Sequence, residues 1–528
     1  MVTKLQTDTT DQLFYDNELL QLTVLGGVKL EGLDRMRVTI KIQEQQSSRP
    51  PVRHNLDLYN DTQLEKFIRK VAEKLEIGTN VIAASLSELT EELEKYRLDK
   101  IKEKEENLKP KIRQLTKIEQ EEALTFLKSK DLLQKTNDLL SDSGIVGEEL
   151  NRLLMYLIYT TRKLEKPLHI ISLGSSGTGK TYLQEKVSQC IPPEEVINIT
   201  TLSDNAFYYF GKTDLKYKLI VIEDLDGASN ALYPLRELQT KNRIVKTIVQ
   251  KNTKGETKTI YLVVEGPVSV AGCTTWEQVY EDNANRCFLI YLDESDQQDQ
   301  KIMQYQRRAS AGKVDKYKQR ETQEFLQNTQ RMLQPIKIIN PYAEQLILPQ
   351  SVFKPRRTNE HYLQFIEAVT FYYQHQRKKR TDKTTGEIYI NTTLEDIENA
   401  NNLLKEILIR KSDELTGACR DYLETLKTYL SKNKRKTFTN AEIMRTLRIK
   451  KTTLHRYHGQ LQSCYYIKKV KKKDKSFAYQ IIDLQEYKKL KESIHTILDS
   501  TLSKLKSPKS QNVPPPKTER KTNSKSTS

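Results

Sequence analysis

Eight consecutive residues of this 528-residue chain have the types and spacing needed to hold a phosphate group. They fit G-x-x-x-x-G-K-[ST] at every fixed position: Gly174, Ser175, Ser176, Gly177, Thr178, Gly179, Lys180 and Thr181. Glycines let the backbone turn tightly, so that several N–H groups point at one phosphate chain. The Lys180 ammonium can reach the β- and γ-phosphates, and the Thr181 hydroxyl can ligate Mg²⁺. The pattern therefore predicts binding of ATP with Mg²⁺.

The segments on either side are those that a phosphate-binding loop requires. Residues 168–173 are a short apolar run, typical of a buried strand, and Leu183, Val187 and Cys190 recur at helical spacing after the loop. Strand, loop and helix in this order aim a helix N-terminus at the anion. These flanks favour phosphate binding over a Gly/Ser-rich loop that matches the pattern by chance.

Two carboxylates follow a second apolar run, residues 217–222. Glu223 and Asp224 can hold Mg²⁺ through water and polarise an attacking water molecule. By position, Glu223 is the metal-side carboxylate and Asp224 the general base, which reverses the usual Asp-Glu order. Asp226 is a further candidate for the base. The alternative interpretation is an acidic loop after a core strand.

Two threonines, Thr274 and Thr275, follow a third apolar run at residues 267–272. A hydroxyl at this place could sense the γ-phosphate; alternatively, the threonines only end the strand. Together with runs at 196–199 and 287–292, these segments make five strands, mostly separated by helical patterns. They predict an α/β fold, a parallel sheet with helices on both faces.

A β-rich insertion lies between the acidic strand and the threonine strand. Residues 244–250 and 257–264 predict a projecting hairpin. Lys251, Lys254 and Lys258 lie near its tip. These lysines could grip a nucleic-acid backbone; alternatively, they only block edge pairing.

The composition limits the class of protein. A net charge of +17 favours a polyanionic partner, with DNA as the first candidate. No run of 18 apolar residues predicts a membrane span, and the polar N-terminus has no signal-peptide core. The five cysteines form no C-x-x-C pair, so neither a zinc ribbon nor a disulfide framework is predicted, and a reducing, cytoplasmic setting is expected.

The order of these motifs resembles that of AAA+ ATPases over roughly residues 150–380. The insertion before the threonine strand is similar to the hairpin of the minichromosome-maintenance and superfamily 3 helicase branch. The Glu-Asp order, and threonine in place of the more usual asparagine, depart from the family pattern. The region from Leu56 through the core also resembles the helicase-like part of mobile-element primase-helicases. The zinc ribbon and polymerising domain of those proteins have no counterpart in this sequence, which implies a separate primase as a partner.

The resemblance implies roles for three arginines. In that family an arginine at the start of the last core strand reaches the ATP of the neighbouring subunit, and Arg286 occupies the matching place. This implies a homo-oligomeric ring, with a hexamer favoured. Arg356 or Arg357, at the start of a lid helix, could contact ATP as a second sensor, although paired arginines at a helix start are also an ordinary surface feature.

The C-terminal third resembles a winged helix-turn-helix. Helices at 440–447 and 452–462 precede two strands, 466–467 and 477–482, which flank a lysine-rich loop. Thr453, His455 and His458 are predicted to face outward from the second helix. The candidate DNA contacts are Lys451, Arg456, Lys468, Lys469, Lys471, Lys472 and Lys473. The alternative is a winged helix that docks onto a protein.

These patterns predict six segments. They are an α/β docking unit at 1–100, a charged helical linker at 101–145, the AAA+ core at 146–295, a helical lid at 296–430, the winged helix at 431–487, and a helix end with a disordered basic tail at 488–528. Within the first segment, a polar lead-in at 1–17 precedes strands at 19–25 and 36–42.

The leading interpretation is an ATP-dependent DNA helicase or translocase that acts in the replication of a mobile element. One alternative is an ATP-dependent DNA-binding switch, helicase loader or initiator. A second is an adaptor ATPase of transposition or conjugation. A nucleotide kinase is disfavoured, because that class needs neither a basic hairpin nor a basic winged helix.

Overall fold

The structure is a computed structural model. It describes residues 5–9, 12–17, 19–30, 35–45, 49–108, 113–174, 176–203, 205–251, 257–275, 286–350, 352, 354–413, 415, 417–471, 477–482 and 484–507. The chain divides into two compact units, Met1–Arg113 and Gln114–Ser528. No helix in these ranges is both long and apolar enough to cross a membrane.

The first unit is a five-stranded antiparallel sheet, with neighbouring strands in chain order, followed by two helices. Its elements are β1 (Leu5–Thr9), β2 (Gln12–Asp16), β3 (Leu20–Leu25), β4 (Arg37–Glu44), β5 (Val52–Asp57), α1 (Asp61–Leu75) and α2 (Thr79–Leu108). Alternating apolar residues of β3 and β4, such as Leu22 and Ile40, are fully buried in one cluster with Phe67 and Val71 of α1. Alternation with period two therefore gives the sheet one buried face.

The interpretation of residues 1–17 as a polar lead-in is wrong, because β1 and β2 lie there. In β2 the buried residues Leu13 and Tyr15 lie on either side of half-buried Phe14, and the exposed residues Gln12 and Asp16 flank them. Three apolar residues are a short run between polar segments, so the strand does not stand out in the sequence. The strand forms because its long-range partner, β3, supplies the rest of the apolar face.

The predicted linker at 101–145 is largely ordered structure. Helix α2 continues to Leu108, and α3 (Lys117–Leu127) and α4 (Leu132–Asp142) follow in the second unit. Leu127, Leu132 and Leu140 are fully buried in the main core of that unit. Most charged residues of α3 and α4 are exposed, so each of these helices buries an apolar stripe and presents its charges on the opposite face.

The centre of the second unit is a five-stranded parallel sheet. Its elements are α5 (Glu149–Thr160), β6 (Ile170–Leu173), α6 (Lys180–Ser188), β7 (Val196–Ile199), β8 (Lys218–Ile222), α7 (Leu232–Lys241), β11 (Val268–Thr274) and β12 (Phe288–Tyr291). The strand order is β12-β6-β11-β8-β7, and every pairing is parallel. Leu183 of α6 and Leu235 of α7 belong to two separate apolar clusters, and each cluster also contains residues of the sheet. The predicted α/β fold is confirmed.

The acidic strand β8 does not adjoin β6, the strand before the P-loop. The threonine strand β11 lies between β6 and β8 and pairs with both. Strand order depends on long-range pairing, which local patterns do not encode.

The predicted hairpin is formed by β9 (Arg243–Lys251) and β10 (Thr257–Glu265), paired in antiparallel register from Arg243–Glu265 to Lys251–Thr257. Ile244 and Val264 are buried at its base, whereas Val249 and Tyr261 are exposed further out. The turn at 252–256, including Lys254, lies outside the described residues.

Helices and one small sheet follow the parallel sheet. They are α8 (Asp296–Ser310), α9 (Lys316–Met332), β13 (Lys337–Ile339), α10 (Pro355–Tyr372), β14 (Arg380–Thr381), β15 (Ile388–Asn391) and α11 (Leu394–Ser412). The end of α9 is tied to the P-loop core by polar contacts. Arg331 pairs with both oxygens of Glu194, at 2.8 and 2.9 Å, and buried Arg162 donates to Gln330 Oε1 at 2.9 Å.

The last elements form their own apolar cluster and then return to the main core. They are α12 (Gly417–Lys432), α13 (Asn440–Thr446), α14 (Lys451–Ser463), β16 (Ile467–Lys471), β17 (Phe477–Ile481) and α15 (Glu486–Lys506). Phe438, Leu454, Leu461 and Tyr479 share the local cluster. In contrast, Leu498 of α15 is buried in the main core with residues of α11. The predicted tail beyond 507 lies outside the described residues.

Two details of this region correct the sequence interpretation. His458 does not face outward: it is 1% exposed and its Nε2 lies 2.6 Å from the Tyr422 hydroxyl. It continues the buried stripe of Leu454 and Leu461, which lie four residues before it and three after it. Lys468, Lys469 and Lys471 belong to strand β16 rather than to a loop, because β16 pairs with β17 through Lys471.

Candidate nucleotide site

The phosphate-binding loop joins the end of β6 to the start of α6. Gly177 and Gly179 have φ angles of +86° and +92°, which residues with a Cβ rarely adopt. A Cβ on Gly177 would meet no atom within 4 Å, so the backbone there is open to a ligand. Helix α6 begins at Lys180, and its first N–H groups have no partner inside the helix. Ser175 lies outside the described residues.

Side chains from three strands and α6 meet beside this loop. The buried Lys180 donates from Nζ to the carbonyl of Gly174 at 2.9 Å, and Thr181 is exposed on the first turn of α6. Burial raises the pKa of the Cys273 thiol to about 11, whereas the Thr181 hydroxyl and Lys180 lower it and Asp224 raises it. Cys273 therefore marks a point that Thr181, Lys180 and Asp224 all approach.

The acidic pair follows the last residue of β8 at the same edge of the sheet. Glu223 and Asp224 are both exposed, and the Glu223 N–H still donates to Ile199 of β7 at 3.1 Å. Asp224 Oδ1 accepts from the backbone N–H of Asp226 at 2.9 Å. The other carboxylate oxygen, Asp224 Oδ2, lies near Gly227: a Cβ added to Gly227 would be 3.5 Å from this oxygen.

The threonine pair is bonded to Asp226. The Thr274 hydroxyl donates to Asp226 Oδ1 at 2.5 Å, and the Thr275 hydroxyl donates to Oδ2 at 3.0 Å. The Thr275 N–H also donates to Oδ2, at 3.2 Å. Asp226 thus joins the end of β11 to the acidic loop after β8.

These residues fit a bound Mg²⁺–nucleotide. The open glycine backbone and the N-terminus of α6 suit phosphate oxygens, while Thr181, Glu223 and Asp224 offer oxygen ligands. Within the described ranges, no group of three or more His, Cys, Asp or Glu side chains forms a metal cluster. Mg²⁺ typically takes one or two carboxylates together with substrate phosphates, so this sparse set suits it.

The predicted arginines lie elsewhere. Arg286 precedes β12, and its Nε donates to Thr240 Oγ1 of α7 at 3.2 Å. Phe288 pairs with Ile170, at the opposite end of β6 from the P-loop. Arg286 therefore lies at the amino edge of the sheet, whereas the P-loop follows the carboxyl edge.

Arg356 and Arg357 open α10, as predicted, but the structure groups Arg357 with the amino edge. One turn later on α10, the His361 ring stacks on Phe288 with centroids 5.3 Å apart. Burial lowers the pKa of His361 to about 2, and the charges of Lys411 and Arg357 add to this effect. The structure thus does not bring Arg357 to the P-loop of the same chain.

Several contacts at the carboxyl edge have no signal in the sequence. Gln184 of α6 donates to the carbonyl of Ile222 at 3.0 Å and accepts from Cys273 Sγ at 3.5 Å. Beside Gly174 lies a cavity of about 220 Å³, lined also by Arg410. Arg410 donates to the carbonyl of Tyr291, the last residue of β12, at 3.3 Å. A glutamine or arginine within an ordinary helix follows no motif, so only the fold reveals its place.

The candidate DNA contacts fall into two groups. On the hairpin, Lys251 and Lys258 lie in the paired strands. In the C-terminal region, Lys451 and Arg456 are exposed on α14, with the Arg456 guanidinium 5.4 Å from the Tyr457 ring centroid. Lys468 and Lys469 are exposed on β16. Lys254, Lys472 and Lys473 lie outside the described residues.

Comparison with known proteins supports the nucleotide site. Residues 117–334 match the family model described as MTBMA_p00010 P-loop domain. The uncharacterized protein MTBMA_p00010 of Methanothermobacter marburgensis is 22% identical over 310 residues, which make up 57% of this chain and 38% of that protein. The chain thus spans well under half the length of this curated relative.

Two solved structures show weaker likeness. A full-length MCM homolog from Methanopyrus kandleri gives a TM-score of 0.37 at 11% identity, covering 76% of this chain and 75% of that chain. The apo C-terminal region of NrS-1 gives a TM-score of 0.18 at 10% identity, covering 85% of this chain and 94% of that chain. The family match, the loop geometry and the parallel sheet together show that residues 117–334 contain a P-loop nucleotide-binding domain.

Proposed function

We propose that this protein is an ATP-driven DNA helicase or translocase that works as a homo-oligomeric ring. The observation that carries the proposal is the position of Arg286 relative to the P-loop. The two lie at opposite edges of one sheet, and the four residues of β12 alone separate them by about 10 Å. Arg286 is therefore better placed to serve the nucleotide of an adjacent copy, which requires a ring or filament.

The residues at the carboxyl edge have distinct roles in this proposal. Lys180 and the backbone of the glycine loop bind the phosphates, and Thr181 and Glu223 orient the ion. Asp224 orients the attacking water and accepts its proton. Mg²⁺, when bound, neutralises charge on the phosphate oxygens. Arg286 of the adjacent copy stabilises the charge that develops on the transferred group.

Two basic elements are proposed to contact DNA. The paired strands β9 and β10 end at Lys251 and Thr257, with Lys258 next to Thr257, and Lys254 lies between them in the sequence. These three lysines would move against one DNA strand. We propose a winged helix for the C-terminal elements. The order of α13, α14 and the β16–β17 hairpin supports it, as does the pairing of Phe438 with Tyr479. Helix α14 would approach DNA bases, and the lysines of β16 would lie along phosphates.

The biological setting rests on the resemblance in sequence. Similarity to the helicase-like part of mobile-element primase-helicases supports a role in replicating a phage, plasmid or integrative element, with a separate primase as partner. The scattered spacing of the five cysteines, with no C-x-x-C pair, supports a reducing, cytoplasmic setting. The hexameric ring rests on the resemblance to the minichromosome-maintenance and superfamily 3 helicase branch.

The test is ATP hydrolysis by the full chain, with and without single-stranded DNA, followed by strand displacement on a forked duplex. We expect DNA to stimulate hydrolysis, with strong dependence on salt and little on sequence. The triple variant Lys251→Ala/Lys254→Ala/Lys258→Ala should lose displacement while ATP binding survives. Lys246→Ala is the matched control, because Lys246 lies on the same hairpin but bonds Asn205 at its base.

Hydrolysis that is indifferent to DNA, with no displacement by the unchanged protein, would overturn the motor. A second candidate, an ATP-dependent DNA-binding switch or loader, would then gain support. The observation that favours it is the reversed acidic pair: the shorter Asp224 stands at the base position, and one of its oxygens is already bonded to Asp226. A switch would bind DNA in an ATP-dependent way and tolerate the triple hairpin change.

A further inference from the structure

We infer that Asp226 is a positioning residue for ATP hydrolysis, which fixes the acidic loop through the two threonines and does not itself touch the substrate. This inference rests on the proposed function and concerns the same site. It gives one role to three residues, Asp226, Thr274 and Thr275, that the sequence had treated as a possible base and as possible sensors.

The contacts of Asp226 use most of its capacity. Its carboxylate accepts the hydroxyl of Thr274 at 2.5 Å, the hydroxyl of Thr275 at 3.0 Å and the N–H of Thr275 at 3.2 Å. A carboxylate has about four lone-pair directions, so three of them are directed at β11 rather than at a water molecule. A general base needs a free lone pair within hydrogen-bond reach of the proton it removes. This geometry favours Asp224 over Asp226 as the base.

The same contacts change the role of the threonines. Each hydroxyl has one proton, and both protons are donated to Asp226. The oxygens of a γ-phosphate are acceptors, so neither hydroxyl can donate to them while these bonds hold. The threonines therefore act on the reaction through Asp226 and not as direct sensors of the γ-phosphate.

A second set of hydrogen bonds connects the end of β11 and Asp226 to Asp224. The N–H of Leu225 donates to the carbonyl of Cys273 at 2.9 Å, and the N–H of Asp226 donates to Asp224 Oδ1 at 2.9 Å. The loop after β8 is thus held to the end of β11 by backbone and side chain together. Since β11 also pairs with β6, the strand before the P-loop, the orientation of Asp224 relative to the nucleotide depends on these bonds.

The experiment compares steady-state hydrolysis and ATP-analogue binding in matched variants of the full chain. We expect Asp226→Asn and Thr274→Val/Thr275→Val to lower kcat by roughly 10- to 100-fold, the loss typical of a misplaced group. KM and the Kd of a fluorescent ATP analogue should change by less than about threefold, because the phosphate cradle is untouched. Thr274→Ser/Thr275→Ser keeps both hydroxyls and should restore most of the turnover.

Three outcomes would overturn the inference. Full turnover by the double valine variant would show that the threonine bonds are dispensable. A matching loss of nucleotide affinity would show that the threonines touch the nucleotide. Loss of turnover in Asp226→Asn alone, with the valine variant active, would identify Asp226 as the base. If the unchanged protein fails to hydrolyse ATP, the proposed function fails first and this role falls with it.

Discussion

The two edges of the parallel sheet differ in the exposure of their side chains. At the carboxyl edge, Thr181, Glu223 and Asp224 are exposed around an open glycine loop. At the amino edge, His169 and His361 are 4% and 6% exposed; the His361 ring stacks on Phe288, and its Nδ1 lies 3.2 Å from the Nζ of buried Lys411. The carboxyl edge offers polar groups to a ligand, whereas the amino edge holds Arg286 beside buried side chains. The comparison teaches that the two edges differ in exposure and chemistry, and the proposed function assigns one half of a shared site to each of them.

The largest expected effect is that of Lys180→Ala. Removal of the ammonium deprives the β- and γ-phosphates of their main positive partner, so we expect hydrolysis to fall below detection. A fluorescent ATP analogue measures the loss of nucleotide binding, and phosphate release measures the loss of hydrolysis. Lys186→Ala is the control: Lys186 is half-buried in the last turn of the same helix, where its Nζ donates to Gln189 Oε1 at 3.2 Å, so this variant should retain both activities. Normal turnover by Lys180→Ala would contradict the assignment of the carboxyl edge.

The next effect, Arg286→Ala, tests the amino edge. We expect turnover to fall by about 10³-fold or more, as for other arginine fingers, with analogue binding retained. A mixture of this variant with Lys180→Ala sharpens the comparison, because one supplies an intact P-loop and the other an intact Arg286. Recovery of turnover on mixing would show that the halves meet between copies. No recovery, with both variants folded and assembled, would mean that each chain uses its own arginine.

A third prediction concerns pH and the amino edge alone. Burial lowers the pKa of His169 to about 4 and that of His361 to about 2, against about 6.5 in the unfolded chain. At pH values between the folded pKa and about 6.5, the unfolded chain binds more protons than the folded chain. The free energy of unfolding therefore falls as pH drops below about 6.5. Each histidine contributes about 1.4 kcal/mol per pH unit across its window.

Denaturant unfolding between pH 7 and pH 5 measures this slope, and His361→Gln isolates one histidine. We expect a shallower slope in the variant than in the unchanged protein. Equal slopes would show that His361 is protonated in the folded state, and the amino edge would then be less enclosed than the structure indicates.

The smallest expected effect concerns the reactivity of two buried cysteines, one at each edge of the sheet. Burial raises the pKa of Cys273 at the carboxyl edge to about 11 and that of Cys287 at the amino edge to about 12. Cys464 is half-buried. Iodoacetamide at pH 8 should therefore modify Cys464 at least roughly tenfold faster than the other two, because the thiolate is the reactive form. Peptide mass spectrometry follows the rates, and fast labelling of Cys287 alone would show that the amino edge opens.

The local parts of the site could be predicted from the sequence, because their chemistry requires fixed residue types at fixed spacing. The glycine loop from Gly174 to Thr181 and the hairpin strands fall in this class. The five apolar runs of the parallel sheet were also predictable, since strands buried on both faces leave continuous apolar segments.

Features that depend on distant partners could not be predicted. The insertion of β11 between β6 and β8, and the bonds from Asp226 to Thr274 and Thr275, exist only once the strands pair. His458 seemed to be a surface residue because a histidine within a basic helix has no mark of burial. Its place among Phe438, Tyr422 and Tyr479 depends on a cluster assembled from α12, β17 and the segment before α13.

The return of the chain along α15 has a consequence for modularity. Ile494, Leu498 and Leu505 are nearly or fully buried in the main core, and each such side chain stabilises the fold by about 1.5–3 kcal/mol. Ion pairs such as Lys405–Asp499, at 2.7 Å, add to the contact with α11. The elements from α12 to β17 are therefore an insert between two paired helices, not an appendage on one tether. Exchanging this insert between related proteins requires two matched junctions, and a cut before Glu486 would expose the apolar stripe of α11.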